Sequence, residues 1–203
     1  MATKATQRKI LAILAGGLVL GIGTAVTLAA WNDSEFANGT FTAGSFNLEG
    51  STDGTNYEEH DTAGAAANVE FSTDFDNLSP TDVVYAPFWV RLDDTTTTGA
   101  VVTTSLDSST GANVPNISYA IYSIGPAAAC DNSATSGTLL LSGTSLSASA
   151  AGATFTLAAP ESSAAGTAQK LCIIATAGPE TGTGALLEGQ SATATWEFAA
   201  TSN

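Results

Sequence analysis

Residues 191–198 read Ser-Ala-Thr-Ala-Thr-Trp-Glu-Phe, and this octapeptide decides the fold class. Ala192, Ala194, Trp196 and Phe198 fall on one face, with Thr193, Thr195 and Glu197 on the other. Strict alternation of this kind marks a strand with one buried and one solvated face. Phe88, Val90 and Leu92 against Trp89 and Arg91 repeat the pattern, and so does Ile117 to Ile124. Gln169 to Thr176 is a short apolar run that suits a central strand, with Cys172 pointing opposite to Leu171 and Ile173. Thr40 to Leu48 reads as a further strand, with Phe41 and Ser45 on one side and Thr42, Phe46 and Leu48 on the other. Gly44 is expected there as a bulge.

Between these runs lie clusters of Gly, Asn, Asp and Ser at 51–56, 107–113, 131–137, 149–152 and 179–184. Such residues supply the positive-φ positions and local side-chain bonds that turns need. No window after residue 31 carries a capped apolar stripe of helical period. Many short strands with regular turns predict an all-β chain, an antiparallel β-sandwich or jelly roll rather than a parallel α/β sheet.

Charge is scarce and unevenly placed. The 203 residues hold 19 acidic and 5 basic side chains, a net charge of −14, with one His and two Cys. Only 12% of residues are charged and 44% are hydrophobic, which argues against a disordered acidic tail. Five cations give no electrostatic footprint for nucleic acid. Three of them, Lys4, Arg8 and Lys9, precede an uncharged run from Ile10 to Ala30. A basic start, an apolar run and a small-residue exit at Leu28-Ala29-Ala30 make up a secretory signal, with cleavage expected between Ala30 and Trp31. The rival is an uncleaved anchor, since 21 uncharged residues would also span a bilayer. The expected division is a signal peptide over 1–30 and a secreted domain over 31–203, on which 19 acids against Arg91 and Lys170 leave −17.

Export sets the redox compartment. In an oxidising setting Cys130 and Cys172 read as one disulfide. The rival, a thiol catalyst, would depend on His60, the single histidine. His60 lies in a polar, turn-flanked stretch, Tyr57-Glu58-Glu59-His60-Asp61, and reads as a solvated loop residue. A hydrolase would likewise rest on His60 alone. No HExxH, GxSxG, P-loop or GxGxxG pattern occurs, and no cofactor is expected. Carboxylates cluster at Asp53/Glu58/Glu59/Asp61, at Asp74/Asp76/Asp82 and at Asp93/Asp94. Calcium wants six to eight oxygens, and the first loop is the calcium candidate although no EF-hand spacing is present.

Two stretches are familiar: Leu28-Ala29-Ala30-Trp31-Asn32-Asp33, and Asn38-Gly39-Thr40-Phe41-Thr42-Ala43-Gly44-Ser45-Phe46-Asn47-Leu48. Together they resemble the start of the TasA/camelysin family and related bacterial proteins exported with a SipW-type signal. Asn77-Leu78-Ser79-Pro80-Thr81-Asp82 resembles that family's "N-L-x-P-G-D" turn, and the strand from Gln190 to Phe198 resembles its last strand. Thr81 stands where the family has Gly, and the cysteine pair is absent from its best-known fibre members, as in an actinobacterial-like branch. The protease activity once attributed to camelysins has no visible catalytic group here.

The resemblance implies a jelly-roll domain, released by a dedicated signal peptidase, that builds fibres in a biofilm matrix or cell surface layer. It implies that the N-terminal segment, 31–48, completes the sheet of the next subunit, with Trp31, Phe36, Phe41, Phe46 and Leu48 as its apolar contacts. The expected partners are then other copies of the chain or related matrix proteins, with the membrane met only through an uncleaved signal. The rival is a monomeric secreted or tethered binding module that takes a carbohydrate or protein partner through Trp89, Tyr57 or the acidic loops.

Overall fold

The computed structural model describes residues 3–26, 34–72, 76–161 and 164–203. Ala30, Trp31 and Asp74 lie outside them. The chain divides into two units, Met1–Thr42 and Ala43–Asn203.

Alternation builds the second unit. Strand β2 (Val83–Leu92) buries Val84, Ala86, Phe88, Val90 and Leu92 and leaves the residues between them half-buried or exposed. β4 (Ile117–Ile124) and β8 (Gln169–Ala177) lie where the sequence places them, and Leu171 and Ile173 enter the main core while Cys172 faces the other way. With β1 (Leu48–Ser51), β5 (Thr138–Gly143) and the two-residue β6 (Ala150–Ala151) they form a six-stranded sheet, ordered β1-β2-β8-β4-β5-β6. A smaller sheet holds β7 (Phe155–Leu157), β3 (Ala100–Thr110) and β9 (Thr193–Ser202), ordered β7-β3-β9. Every paired strand is antiparallel.

The two sheets enclose one main core. Phe88, Ile121, Leu171 and Ile173 of the large sheet meet Leu106, Ala194, Trp196 and Phe198 of the small one. The chain is therefore an all-β antiparallel sandwich. Phe88 stacks on Phe198 with ring centroids 5.5 Å apart, and Tyr119 meets Trp196 at 5.6 Å. Aromatic pairs at this spacing add to the free energy of area burial.

Two sequence expectations need correction. Thr40–Asn47 is not a strand: Ser45 makes one isolated bridge to Thr96, and ladder pairing begins at Leu48 opposite Leu92. A strand needs a neighbour, and β2 ends at Leu92, so the residues before Leu48 meet the turn at Asp93–Thr97 instead. Gly44 is not a bulge either; a Cβ there would run into the Thr97 side chain, so the glycine permits close approach to that turn. The second correction concerns 107–113. β3 runs on to Thr110, with a bulge between Leu106 and Ser108, and the chain turns at Gly111.

The turn before β2 carries strain. Asp82 N–H donates to Ser79 O at 3.1 Å, Pro80 takes the second position, and Thr81 has φ 71°. That is the arrangement of a type II turn, whose third position calls for glycine. Thr81 is the single non-glycine residue at positive φ among the described residues. A β-branched residue there costs about 1–2 kcal/mol. Thr81→Gly is therefore expected to raise stability by about 1 kcal/mol, read as a higher urea midpoint with an unchanged slope. A lower midpoint would show that Thr81 contributes more through its contacts than it loses in strain.

The first unit holds α1 (Lys4–Val26). Among the side chains described to Leu18, Ile10, Leu11, Ile13, Leu14 and Leu18 are all more than half exposed. Among the described residues no helix is long and apolar enough to cross a membrane.

Candidate functional site

The small sheet leaves two sides without a full partner. β3 is paired along its whole length by β9, whereas β7 covers only Ala100–Val102 on its other side. Beyond that point the other side of β3 has no strand partner among the described residues, and its ladder with β9 is interrupted by a bulge between Leu106 and Ser108. β9 ends the sheet, and among the described residues it pairs with β3 alone. Its sequence, TATWEFAATS, contains no proline and no lysine. The alternating side chains Ala194, Trp196 and Phe198 are committed to the core, so the outer backbone edge remains as a template.

In the other unit, Ser34–Thr42 adopts neither helix nor strand. Phe36 is 95% and Phe41 97% exposed. Phe46 and Leu48, expected as part of the same assembly segment, belong instead to the sandwich. Thr97 N–H donates to Ser45 O at 3.1 Å, Asn47 N–H to Thr96 Oγ1 at 2.8 Å, and Leu48 pairs with Leu92 in β1. The first unit ends at Thr42, and from Ser45 onward the chain is bonded to its own sandwich.

A second feature is an acidic cleft of about 590 Å³ beside β1 and β2, lined by Asn47, Glu49, Tyr57, Glu58, Glu59, Arg91, Asp93 and Asp94 among others. Arg91 Nε donates to Glu49 Oε1 at 2.6 Å, and the guanidinium lies 3.7 Å above the Tyr57 ring. Asn47 Nδ2 donates to Glu59 Oε1 at 2.5 Å and to Asp93 Oδ2 at 3.2 Å. Lys170 donates to Ala128 O at 2.7 Å and sits 5.1 Å from the Trp89 ring centre. Tyr57 and Trp89, the aromatics that the sequence offers to a ligand, thus each have a cation on one face.

The calcium candidates Asp53, Glu58, Glu59 and Asp61 take different roles. Asp53 is turned into its own loop, where it accepts N–H bonds from Thr55 and Asn56 and bonds to Ser51 and the Asn56 side chain. Glu58 and Glu59 line the cleft. Among the described residues no three His, Cys, Asp or Glu side chains group as a metal site. His60 is half-buried rather than solvated, and its Nδ1 has no partner. Cys130 and Cys172 form the expected disulfide, with Cα atoms 5.3 Å apart.

Three aspartates hold turns and set the acid response. The N–H groups of Asn56 and Thr55 lower the Asp53 carboxyl well below the carboxylate range. Burial pushes Asp93 up, but bonds from Thr96, Thr95 and Asn47 together outweigh it and hold that carboxyl low. The Ser133 hydroxyl and N–H lower Asp131. A carboxyl depressed in the folded state contributes stability above its unfolded pKa, near 4, and loses it as pH falls through the folded value. The melting temperature is therefore expected to fall below about pH 4. Asp93→Asn should lower stability at pH 7 and flatten the acid limb; an unchanged profile would show that Asp93 plays no part.

The chain matches no protein-family model and no curated protein. What it does has to be read from its fold and surfaces. The Arg91 cleft was missed in the sequence because residues 47–59 and 91–94 meet only once β1 pairs with β2.

Proposed function

We propose that this chain is a secreted, non-enzymatic structural subunit that assembles head to tail into fibres of a biofilm matrix or cell surface layer. The segment before Ala43 of one copy adds as a strand to the outer edge of β9 in the next. The observation that carries this reading is the ten-residue β9, paired on one side, in a molecule whose Ser34–Thr42 segment exposes Phe36 and Phe41 outside any sheet. A strand added to an open edge gains main-chain hydrogen bonds and places alternate side chains in pockets. A head-to-tail contact that does not close propagates into a filament.

Other features support it. The exposed apolar side chains of α1 suit an export signal that functions in a lipid or translocon setting rather than in water. A disulfide fits an oxidising compartment. Thr81, at φ 71°, occupies the turn position that is glycine in the TasA/camelysin pattern the sequence resembles. Electron microscopy of residues 31–203 should show filaments that vanish when residues 31–42 are removed. Filaments that persist without that segment would overturn strand addition, and a monodisperse monomer at every concentration would overturn fibre formation.

A further inference from the structure

The link between β4 and β5 is longer than its task requires. Ser123 pairs with Thr138, and a hairpin of about two to five residues would join such neighbours. Instead residues 125–137 fold back over the outer face of the large sheet. There Ala128, Cys130 and Ala134 pack on Tyr85, Tyr122, Ile124, Cys172 and Ile174. This small core lies on the face away from the main one.

The flap brings little apolar material of its own. Its buried contact is Ala134, and a cavity of about 220 Å³ is lined by flap residues from Gly125 to Gly137 together with Ser123, Ile124 and Thr138. Two ties to β8 hold it: the Cys130–Cys172 bond and the Lys170 Nζ donation to Ala128 O at 2.7 Å. Cys172 is fully buried, whereas Cys130 is only half-buried.

We infer that the Cys130–Cys172 bond is a latch, opened by a small dithiol from the Cys130 side, that releases flap 125–137 and uncovers Tyr85, Tyr122, Ile124 and Ile174 while the sandwich stays folded. A thiolate of the dithiol attacks Cys130 Sγ, on the less buried of the two cysteines. The S–S bond breaks, its electron pair leaves on Cys172 Sγ, and a mixed disulfide stands at Cys130. The second thiol then displaces Cys130. The dithiol ends as its own disulfide and both cysteines as thiols, two electrons and two protons having passed to the protein. The main core is spared because Cys172 points away from Leu171 and Ile173, which lie inside it.

Hydrogen exchange of the full chain before and after dithiothreitol tests the latch. Amide exchange in 125–137 should rise at least about tenfold on reduction while β2, β4 and β8 keep their protection, as for a local opening. With glutathione in place of the dithiol, the mixed disulfide should map to Cys130. The double variant Cys130→Ser, Cys172→Ser should show the open flap without any thiol. Loss of protection across all strands, in the reduced protein or the double variant, would make the bond a global staple and overturn the latch. Unchanged flap exchange, or glutathione on Cys172, would overturn it equally.

Discussion

A chain that begins at Ala43 should form no filaments at any concentration and should melt as residues 31–203 do. Both halves of this result follow from the division of the molecule. Ser34–Thr42 makes no strand and holds Phe36 and Phe41 almost wholly in solvent, so the fold loses nothing when it goes. Assembly loses its connector. Burying an aromatic side chain gains about 1.5–3 kcal/mol, and each main-chain hydrogen bond to β9 adds about 1 kcal/mol net. Against this stand the ordering of the segment and the lost freedom of a whole subunit, about 4–15 kcal/mol. Two phenylalanines and a ladder of several bonds exceed the lower part of that range, and without them nothing offsets it. Repulsion between copies of residues 31–203, where 19 acids face only Arg91 and Lys170, acts in the same direction and weakens with salt, over a Debye length of about 8 Å at physiological ionic strength. Filaments should therefore grow faster as salt is raised, and turbidity against ionic strength reads this directly.

Phe88→Ala should remove about 3–5 kcal/mol, the cost of emptying a buried aromatic site. Phe88 is 7% exposed, stacks on Phe198 across the two sheets, and approaches β1 so closely that a Cβ on Gly50 would lie 2.6 Å from its Cζ. On the β1 side nothing refills the site, because Gly50 has no side chain. At about 2–4 °C per kcal/mol for a domain of this size, the melting temperature should drop by roughly 10 °C. A loss under about 1 kcal/mol in urea titration would mean that the sheets are joined elsewhere. The variant should also weaken assembly, since Phe198 belongs to β9 itself.

Alternation made β2, β4 and β9 legible in the sequence, and β8 was legible as a short apolar run because both of its faces are buried. β3 escaped because Thr104 faces inward where an apolar residue would be expected, and a bulge at Asp107 then breaks the period. Thr40–Asn47 alternates as well as any strand, yet local pattern cannot say whether a neighbour exists, and β2 has ended there. The same limit applies to the carboxylates. Spacing gathers Asp53 with Glu58, Glu59 and Asp61, while the folded loop spends Asp53 on its own N–H groups. The open side of β9 was not legible at all, because an edge is a property of the whole sheet.

The placement of the two cations in the large sheet bears on how such a subunit would meet proteases outside a cell. A protease that cuts after Lys or Arg finds only two target bonds beyond residue 31, Arg91–Leu92 and Lys170–Leu171. Both lie in strands of the large sheet, and Leu92 and Leu171 are fully buried. Cleavage needs several residues drawn out into the enzyme, so neither bond can be reached until the sheet itself comes apart. The folded domain thus presents that class of digestive enzyme with an intact chain.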